Sequence, residues 1–377
     1  MSHVFDFLVV GAGMAGVSVA DALAPDARVA LLESEPHPGY HSTARSAALF
    51  SPSYGSALFT VLTRASTSFF LDPPPTHFRS PLVQPRGALH LARADQRGRL
   101  EELIAAVQAA GGHIEALSAS AARRYLPVLR EEYAAAAAYE DGVFDIDVEA
   151  LFRGFLNRSR AAGAQLFLGT PFSSAQRRGE FWELEVAGTA LRARVLVNAA
   201  GAWADQVGRA CGAQPLGLAA LRRSAALIEA PPGVDVARWP AVFDMDDAFY
   251  LKPDAGRLLI SPAEEEPVPP GDAYPEDLTI ALAVERIEAA LTLEIKRVQR
   301  SWAGLRTFAP DREPVIGYDP QVPGLFWFAG QGGYGIQSAP AAAQLAAALA
   351  RGAPVPPELA AFGMSAAAVA PRRLHRG

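Results

Sequence analysis

The stretch FDFLVVGAGMAG, residues 5–16, decides the fold. Its apolar run Asp6–Val10 predicts a strand that is buried on both faces of a parallel sheet. Gly11, Gly13 and Gly16 follow with GxGxxG spacing, and the residues after them have helical composition, so the glycines occupy a strand-to-helix turn. Such a turn lets a pyrophosphate approach the backbone and faces it with a helix N-terminus.

A second strand, predicted over residues 28–32, ends at Glu33. An acidic side chain at this position accepts hydrogen bonds from a ribose and repels a 2′-phosphate. The alternative interpretation is an ordinary solvated acid at a strand end. Strand, glycine turn, helix and strand together form a βαβ unit that predicts dinucleotide binding, without identifying the dinucleotide.

The composition excludes several other classes of function. The 377 residues carry a formal net charge of −6, which disfavours nucleic acid as a partner. The single cysteine, Cys211, excludes an internal disulfide framework and a cysteine-based zinc site, and it agrees with a cytoplasmic location. Isolated histidines predict no metal centre, and no apolar run is long enough to span a membrane.

Four further stretches resemble the D-amino-acid-oxidase-like family of FAD-dependent amine oxidoreductases. They are PGYHSTARSAALFSPSYG (38–55), VLVNAAGAWAD (195–205), WAGLRTFAPDREPVIG (302–317) and FWFAGQGGYGIQSAP (326–340). The resemblance runs through nearly the whole chain in matching order and includes RRSAALIEAPPG (222–233) and FYLKPDAG (249–256). Within that family, the D-arginine dehydrogenases are the most similar group.

The resulting expectation is an α/β fold with a Rossmann-like FAD-binding domain and an α+β substrate domain whose sheet is antiparallel or mixed. The FAD domain is predicted to be discontinuous, over residues 1–80, 141–214 and 303–377. The substrate domain is predicted over residues 81–140 and 215–302. The run Pro73–Pro75 marks the first crossing between the two domains.

The resemblance implies that FAD is bound non-covalently, because Cys211 lies away from where related sarcosine oxidases anchor their flavin. Besides Gly11, Gly13, Gly16 and Glu33, it assigns to the cofactor Arg45, Ser46, Ala47, Ala200, Gly201, Trp203, Gly330, Gly332, Gly333, Gly335, Ile336 and Gln337. A helix N-terminus predicted at Gly335–Ser338 stabilises the negative charge of the reduced flavin near its pyrimidine ring. The alternative is a glycine-rich turn without a ligand.

The resemblance also implies a set of catalytic residues, namely Arg306, Arg223, Tyr250, Tyr54, Gly333 and Gln337. An α-amino-acid substrate presents a carboxylate, which an arginine binds bidentately and in a fixed orientation. Arg306 stands between apolar residues, which favours this role, whereas a solvated pair of Arg222 and Arg223 is an equally tolerable interpretation. The small residues around Tyr54 are typical of a lid.

The predicted reaction is oxidation of a D-amino acid, by hydride transfer from Cα to flavin N5, with electrons passed to a quinone or another acceptor. The alternatives are a flavin oxidase of glycine- or sarcosine-type amines and a flavin-binding subunit without turnover. Ala88 and Leu49 replace a glutamate and a histidine of the D-arginine dehydrogenase pattern, and Phe243 adds apolar surface. Apolar or aromatic D-amino acids are therefore expected to be preferred over D-arginine. The acidic run at residues 264–266 is interpreted as a solvated loop, and the alternative is that it supplies a substitute carboxylate for a cationic substrate.

Overall fold

The computed structural model describes residues 3–78, 81–186 and 188–375, in which strands and helices alternate along the chain. The strands are β1 His3–Val10, β2 Val29–Leu32, β3 Leu49–Phe50, β4 Val83–Pro85, β5 Ala88–Ala92, β6 Ile114–Leu117, β7 Ala136–Glu140, β8 Phe144–Ile146, β9 Gln165–Phe167, β10 Gln176–Arg178, β11 Phe181–Val186, β12 Thr189–Asn198, β13 Ala219–Glu229, β14 Ala241–Asp244, β15 Tyr250–Asp254, β16 Arg257–Ser261, β17 Glu266–Pro267, β18 Val298–Phe308, β19 Val315–Tyr318 and β20 Leu325–Ala329.

The described α-helices contain fewer residues in total than the strands. None of them is long and apolar enough to cross a membrane. They are α1 Met14–Leu23, α2 Ala57–Ala65, α3 Thr67–Leu71, α4 Arg97–Ala109, α5 Ala119–Ala122, α6 Val148–Ala161, α7 Ala204–Ala210, α8 Asp277–Ala290, α9 Ala339–Ala350, α10 Pro357–Ala361 and α11 Ala366–Val369. The composition of residues 58–70 predicts a single helix, and the structure divides this stretch at Ser66 into α2 and α3.

The first sheet is built around the predicted βαβ unit. Its parallel strands lie in the order β20, β12, β1, β2 and β9, while β19 and the hairpin β10–β11 add antiparallel strands. Leu8 and Val9 of β1 are completely buried, because helices α1 and α9 cover one face and Trp182 and Trp327 pack on the other. The carboxyl ends of β1, β2, β12 and β20 meet at one edge of this sheet, where ligands of open α/β sheets bind.

The second sheet is mixed, as the sequence allowed. Its order is β17, β13, β16, β15, β14, β5, β7 and β6, with β18 on β13, and its one parallel pair among the described strands is β5 with β14. Side chains alternate between its two faces. One face packs on α8, whereas the other presents His90, Phe243 and Tyr250, which are register neighbours on β5, β14 and β15.

The predicted domain division follows the sheets in part and stays a prediction. Strands of the second sheet come from residues 88–140 and 219–308, and β18 runs unbroken through the predicted boundary between residues 302 and 303. The boundary near residue 80 lies outside the described residues. A third sheet of two- and three-residue strands, β3, β8 and β4, was not predicted because such short strands leave no periodic pattern.

Candidate active site

A cavity of about 570 Å³ opens at the carboxyl edge of the first sheet and extends to β13, β15 and β18 of the second. It brings together most of the residues that the sequence predicted for a site. These are Gly11, Gly13, Glu33, Arg45, Ser46, Ala47, Ala200, Gly201, Trp203, Arg223, Tyr250, Arg306, Gly332, Gly333, Gly335 and Ile336. Gly16, Tyr54, Gly330 and Gln337 do not line it.

Glycine occupies three positions after β1 for different structural reasons. Gly11 has φ +99° and a Cβ there would lie 2.6 Å from the Ala199 carbonyl oxygen, while a Cβ on Gly16 would lie 1.7 Å from the Gly11 oxygen. Both are therefore required by the packing of the chain on itself. Gly13 lines the cavity, and a Cβ there would meet only Thr43 Oγ1, at 3.5 Å. The open space beside Gly13 is a cradle for a ligand atom.

Glu33 secures the glycine loop from the end of β2. Its carboxylate accepts hydrogen bonds from the Ala12 N–H at 2.8 Å and the Glu35 N–H at 3.0 Å, and the side chain is buried. The solvated-acid interpretation is therefore wrong. Glu33 also lines the cavity, and because a carboxylate offers about four lone-pair sites, it has acceptor capacity left for a ribose hydroxyl.

The segment 39–47 borders the cavity and is tied to the second sheet. Arg45 donates to Asp272 Oδ1 at 2.5 Å and to the Ala303 carbonyl oxygen at 3.3 Å, so its guanidinium is a tether rather than a free cation. His41, which the sequence analysis treated as isolated, also lines the cavity; it lies 3.0 Å from Glu35 Oε1 and packs on Trp203. Only the tertiary structure reveals Asp272, Ala303 and Trp203 as partners, since they are remote in sequence.

The glycine turn after β20 packs on the second sheet. A Cβ on Gly332 would lie 2.3 Å from Phe308, and a Cβ on Gly333 would lie 2.9 Å from Arg306 Nη1. Gly335 and Ile336 line the cavity, and their N–H groups donate to no protein acceptor within the described part of the chain. The predicted helix N-terminus is displaced, because α9 begins at Ala339 and the residues before it form turns.

Arg223 and Arg306 project from the same face of adjacent antiparallel strands, since Arg306 pairs with Leu221, two residues from Arg223. Burial and the charge of Arg306 lower the pKa of Arg223. Burial also lowers the pKa of Arg306, but Tyr54 and Tyr250 raise it, and the net direction is upward. Both guanidiniums stay charged at neutral pH, and the two cations lie beside the turn at Gly333.

The two arginines differ in their partners. Arg223 donates to Glu265 Oε1 at 3.1 Å, whereas Arg306 has no acidic side chain within 4 Å among the described residues. Glu264 accepts from the Ser224 N–H at 2.6 Å, and Glu266 pairs with Arg222. The prediction of a solvated acidic loop at residues 264–266 is therefore correct only in part: Glu265 and Glu266 are exposed, but each of the three side chains is also paired with β13.

Gln337 is buried and does not line the cavity; its side chain holds the loop that carries Tyr54. Its Oε1 accepts from the Ser51 N–H and its Nε2 donates to the Tyr54 carbonyl oxygen, both at 3.1 Å. Both ends of the amide are thus used by the loop that carries Tyr54. The Tyr54 ring is 41% exposed and lies edge-on to Tyr334 at 5.1 Å, so this loop stands at the mouth of the site. Tyr334, which burial gives a pKa of about 12, was not singled out from the sequence.

Ala88, which replaces the glutamate of the resembling enzymes, lies in register with another acid. Glu140 on β7 is its direct cross-strand partner. The Glu140 side chain is buried and its oxygens are used: Oε1 accepts from Ser53 Oγ at 2.7 Å and Oε2 lies 3.2 Å from His90 Nε2. None of Glu140, His90 and Phe243 lines the cavity.

Comparison with known proteins matches residues 6–349 to the family model described as DAO, FAD dependent oxidoreductase. The uncharacterized oxidoreductase YurR of Bacillus subtilis is 25% identical over 61% of this chain and 60% of its own length. Dimethylglycine dehydrogenase of Rattus norvegicus is 27% identical over 56% of this chain but only 27% of its own length. This chain therefore spans less than two thirds of either relative.

Glycine oxidase of Geobacillus kaustophilus matches over the whole length. It is 24% identical over 97% of this chain and 98% of its own. Its crystal structure has a TM-score of 0.84 to this chain, with complete coverage of both and 23% identity. The fold is therefore shared.

FAD is the cofactor that this family carries, and the cavity fits it. With FAD bound, the open space at Gly13 would receive the pyrophosphate, Glu33 would accept a hydrogen bond from the ribose, and the N–H groups of Gly335 and Ile336 would be available to the flavin ring. Cys211 is buried and does not line the cavity, and burial raises the pKa of its thiol to about 12. A thiol in this state is a poor nucleophile, which favours the predicted non-covalent binding.

Proposed function

Because this chain belongs to the DAO family of FAD-dependent oxidoreductases, we propose that it oxidises small amines bearing a carboxylate on the carbon that loses hydride. The observation that carries this proposal is Arg306, a charged guanidinium in the cavity without an acidic partner among the described residues. D-amino acids and glycine- or sarcosine-type amines both meet this requirement.

Arg306 binds the substrate carboxylate through two parallel N–H donors, which fixes the orientation of Cα. Gly333 supports this geometry, because its backbone packs against the guanidinium and leaves no room for a side chain. Tyr250 lines the cavity beside Arg223 and contributes a hydroxyl, and Tyr54 covers the mouth. FAD, when bound, supplies the two-electron acceptor for the hydride of Cα.

The neutral amine is the reactive form. The charges of Arg223 and Arg306 lower the pKa of a substrate amine held next to them, so the protein needs no dedicated base. The oxidation removes a hydride from Cα and a proton from nitrogen, and the resulting imine is hydrolysed by water to a 2-oxo acid and ammonia when the substrate is a primary α-amino acid.

The positions that depart from the D-arginine dehydrogenase pattern support a preference for apolar or aromatic D-amino acids, although Ala88 and Phe243 lie on the second sheet and not in the wall of the cavity. Ala88 offers no charge, and the nearby Glu140 already accepts hydrogen bonds from Ser53 and lies against His90. A substrate guanidinium would gain no free carboxylate there. Because two relatives are named glycine oxidase and dimethylglycine dehydrogenase, small glycine derivatives are equally well supported as substrates.

The test is a substrate panel assayed with an artificial electron acceptor. kcat/KM for D-Leu, D-Phe, D-Met, D-Lys, D-Arg, glycine and sarcosine separates the two substrate classes. We expect turnover with carboxylated amines and a ranking of D-Leu or D-Phe above D-Arg. D-Arg ahead of all others would contradict the proposed side-chain preference, and no turnover with any of them would favour a flavin-binding subunit.

The electron acceptor is proposed to be a quinone or another acceptor rather than oxygen, as in a dehydrogenase. The proposal rests on the resemblance alone. Mixing substrate-reduced protein with air-saturated buffer tests it. Slow reoxidation without stoichiometric peroxide is the expected result, whereas reoxidation within milliseconds with one peroxide per flavin would make the enzyme an oxidase.

A further inference from the structure

Glu265 holds one of the two cavity arginines. Its Oε1 lies 3.1 Å from Arg223 Nη2 and 2.9 Å from Arg312 Nη2, so one carboxylate bridges two guanidiniums. The side chain of Arg223 is only 11% exposed, which makes this bridge a partly desolvated one. A charge pair of this kind is stronger than one on an open surface.

The position of Glu265 is fixed by its neighbours in sequence. Glu264 accepts from the Ser224 N–H at 2.6 Å, and the next residues form β17, in which Pro267 pairs with Leu221 of β13. Arg312 is held in turn over the Phe308 ring, with its guanidinium carbon 3.9 Å from the ring centre. Glu265 itself does not line the cavity and its side chain is 33% exposed, so the carboxylate lies behind Arg223, where the pairing of its neighbours with β13 holds it in place.

We infer that Glu265 determines substrate specificity in the amine oxidation proposed above, by acting as an internal counter-carboxylate to Arg223. With Arg223 neutralised, the cavity offers one free arginine, Arg306, and accepts one substrate carboxylate. A second carboxylate on the substrate would have to displace Glu265 from Arg223 or lie against its negative charge. Dicarboxylic amines are therefore disfavoured relative to monocarboxylic ones of similar shape.

Sarcosine and iminodiacetate are a matched substrate pair, because they differ by one carboxylate on the N-substituent. The wild-type enzyme is expected to favour sarcosine. Glu265→Gln keeps the shape but removes the charge, and it should shift the kcat/KM ratio toward iminodiacetate by at least about tenfold. Glu266→Gln is the control, since Glu266 pairs with Arg222 outside the cavity and Arg222 keeps Glu276 at 2.8 Å. That control should leave the ratio within about threefold.

A binding measurement on the FAD-loaded protein gives a readout without turnover. Acetate and malonate are titrated while the visible flavin spectrum is followed. Glu265→Gln should tighten malonate at least about tenfold more than acetate. An equal gain for both acids, which leaves the ratio of their affinities unchanged, would show simple competition for Arg223 and overturn the inference. The absence of a gain for either acid would overturn it as well.

The two assays distinguish the failure of the inference from that of the proposed function. If no amine reduces the flavin while malonate still gains selectively in Glu265→Gln, the amine oxidation fails and Glu265 remains the selector of carboxylate number. If sarcosine is oxidised and neither ratio moves, the inference fails and the proposed function stands.

Discussion

The glycine turn after β1 and the glycine turn after β20 meet at the same edge of the first sheet, yet they are shaped by different neighbours. In the first, Gly11 and Gly16 are needed for the chain to pack on itself, and Gly13 alone faces open space. In the second, Gly332 and Gly333 lie against Phe308 and Arg306 of the second sheet. One turn therefore leaves room for a ligand atom, and the other packs against Arg306, the residue that we propose holds the substrate.

This difference means that cofactor binding and substrate binding are separable by substitution. A side chain added to the first turn should remove FAD and leave the arginines in place. A side chain added to the second should disturb Arg306 and leave FAD bound.

Gly13→Val should give a folded, colourless protein. The added side chain fills the space proposed for the pyrophosphate, but a Cβ meets only Thr43 Oγ1 at 3.5 Å, so the fold tolerates it. The measurement is the ratio of visible flavin absorbance to protein absorbance after purification, with thermal unfolding as the check on folding. Wild-type protein should be yellow and release FAD, not FMN, on denaturation.

Gly16→Val is the comparison variant for the first turn. Its Cβ would lie 1.7 Å from the Gly11 carbonyl oxygen, so this variant should fail to fold rather than fold without colour. If Gly13→Val binds flavin normally, the first turn is not part of the cofactor site.

Arg306→Lys should keep FAD and lose substrate affinity. A point charge replaces a bidentate fork, and a hydrogen bond to a charged group contributes about 1.5 to 3 kcal/mol, so kcat/KM should fall by about 10- to 150-fold, mainly through KM. Steady-state kinetics with the best carboxylated amine measures this. If kcat/KM is unchanged, Arg306 does not hold the substrate.

Gly333→Ala sharpens the comparison from within the second turn. Its Cβ would press on Arg306 Nη1, from 2.9 Å, and shift the guanidinium by a few tenths of an ångström, so KM should rise by about 3- to 10-fold with FAD retained. Gly335→Ala is the comparison variant: its Cβ would meet Gln331 Cβ at 2.9 Å and not Arg306, so any effect should fall on FAD retention while the KM of the FAD-loaded protein stays unchanged. Equal KM changes in both variants would mean that the turn does not act through Arg306.

The smallest effect is expected away from both turns. Glu140→Gln removes a charge whose oxygens are bonded to Ser53 and His90, outside the cavity, so kcat/KM for D-Leu and D-Phe should stay within about threefold. The check is the same panel with D-Arg and D-Lys included. A selective loss with the two cationic substrates would show that Glu140 binds the substrate side chain.

Much of the fold was predictable because its signals are local. The buried run of β1, the glycine spacing after it and the acid ending β2 are all contained in one βαβ unit, and the apolar run Leu325–Ala329 by itself predicts the strand β20. Arg306 was predictable as an arginine among apolar residues, although its role came from the resemblance.

The contacts that shape the site were not predictable, since they join residues remote in sequence. Glu265 meets Arg223 across 42 positions and Gln337 meets Ser51 across 286. A run of acidic residues has the same local sequence pattern whether its side chains are unpaired in solvent or paired with arginines, so only the observed pairing with β13 distinguishes the two cases. The close contact between Gly333 and Arg306 likewise arises from tertiary packing and has no local sequence signal.

The central claim is that a carboxylate held by Arg306 directs the oxidation of an amine by FAD. Its most direct test is anaerobic flavin reduction by D-alanine and by ethylamine, which differ only in the carboxylate. We predict that D-alanine reduces the flavin at least about 100-fold more efficiently, and that Arg306→Met removes most of this advantage while FAD stays bound. Equal reduction by the two amines, or an advantage that survives Arg306→Met, would contradict the account.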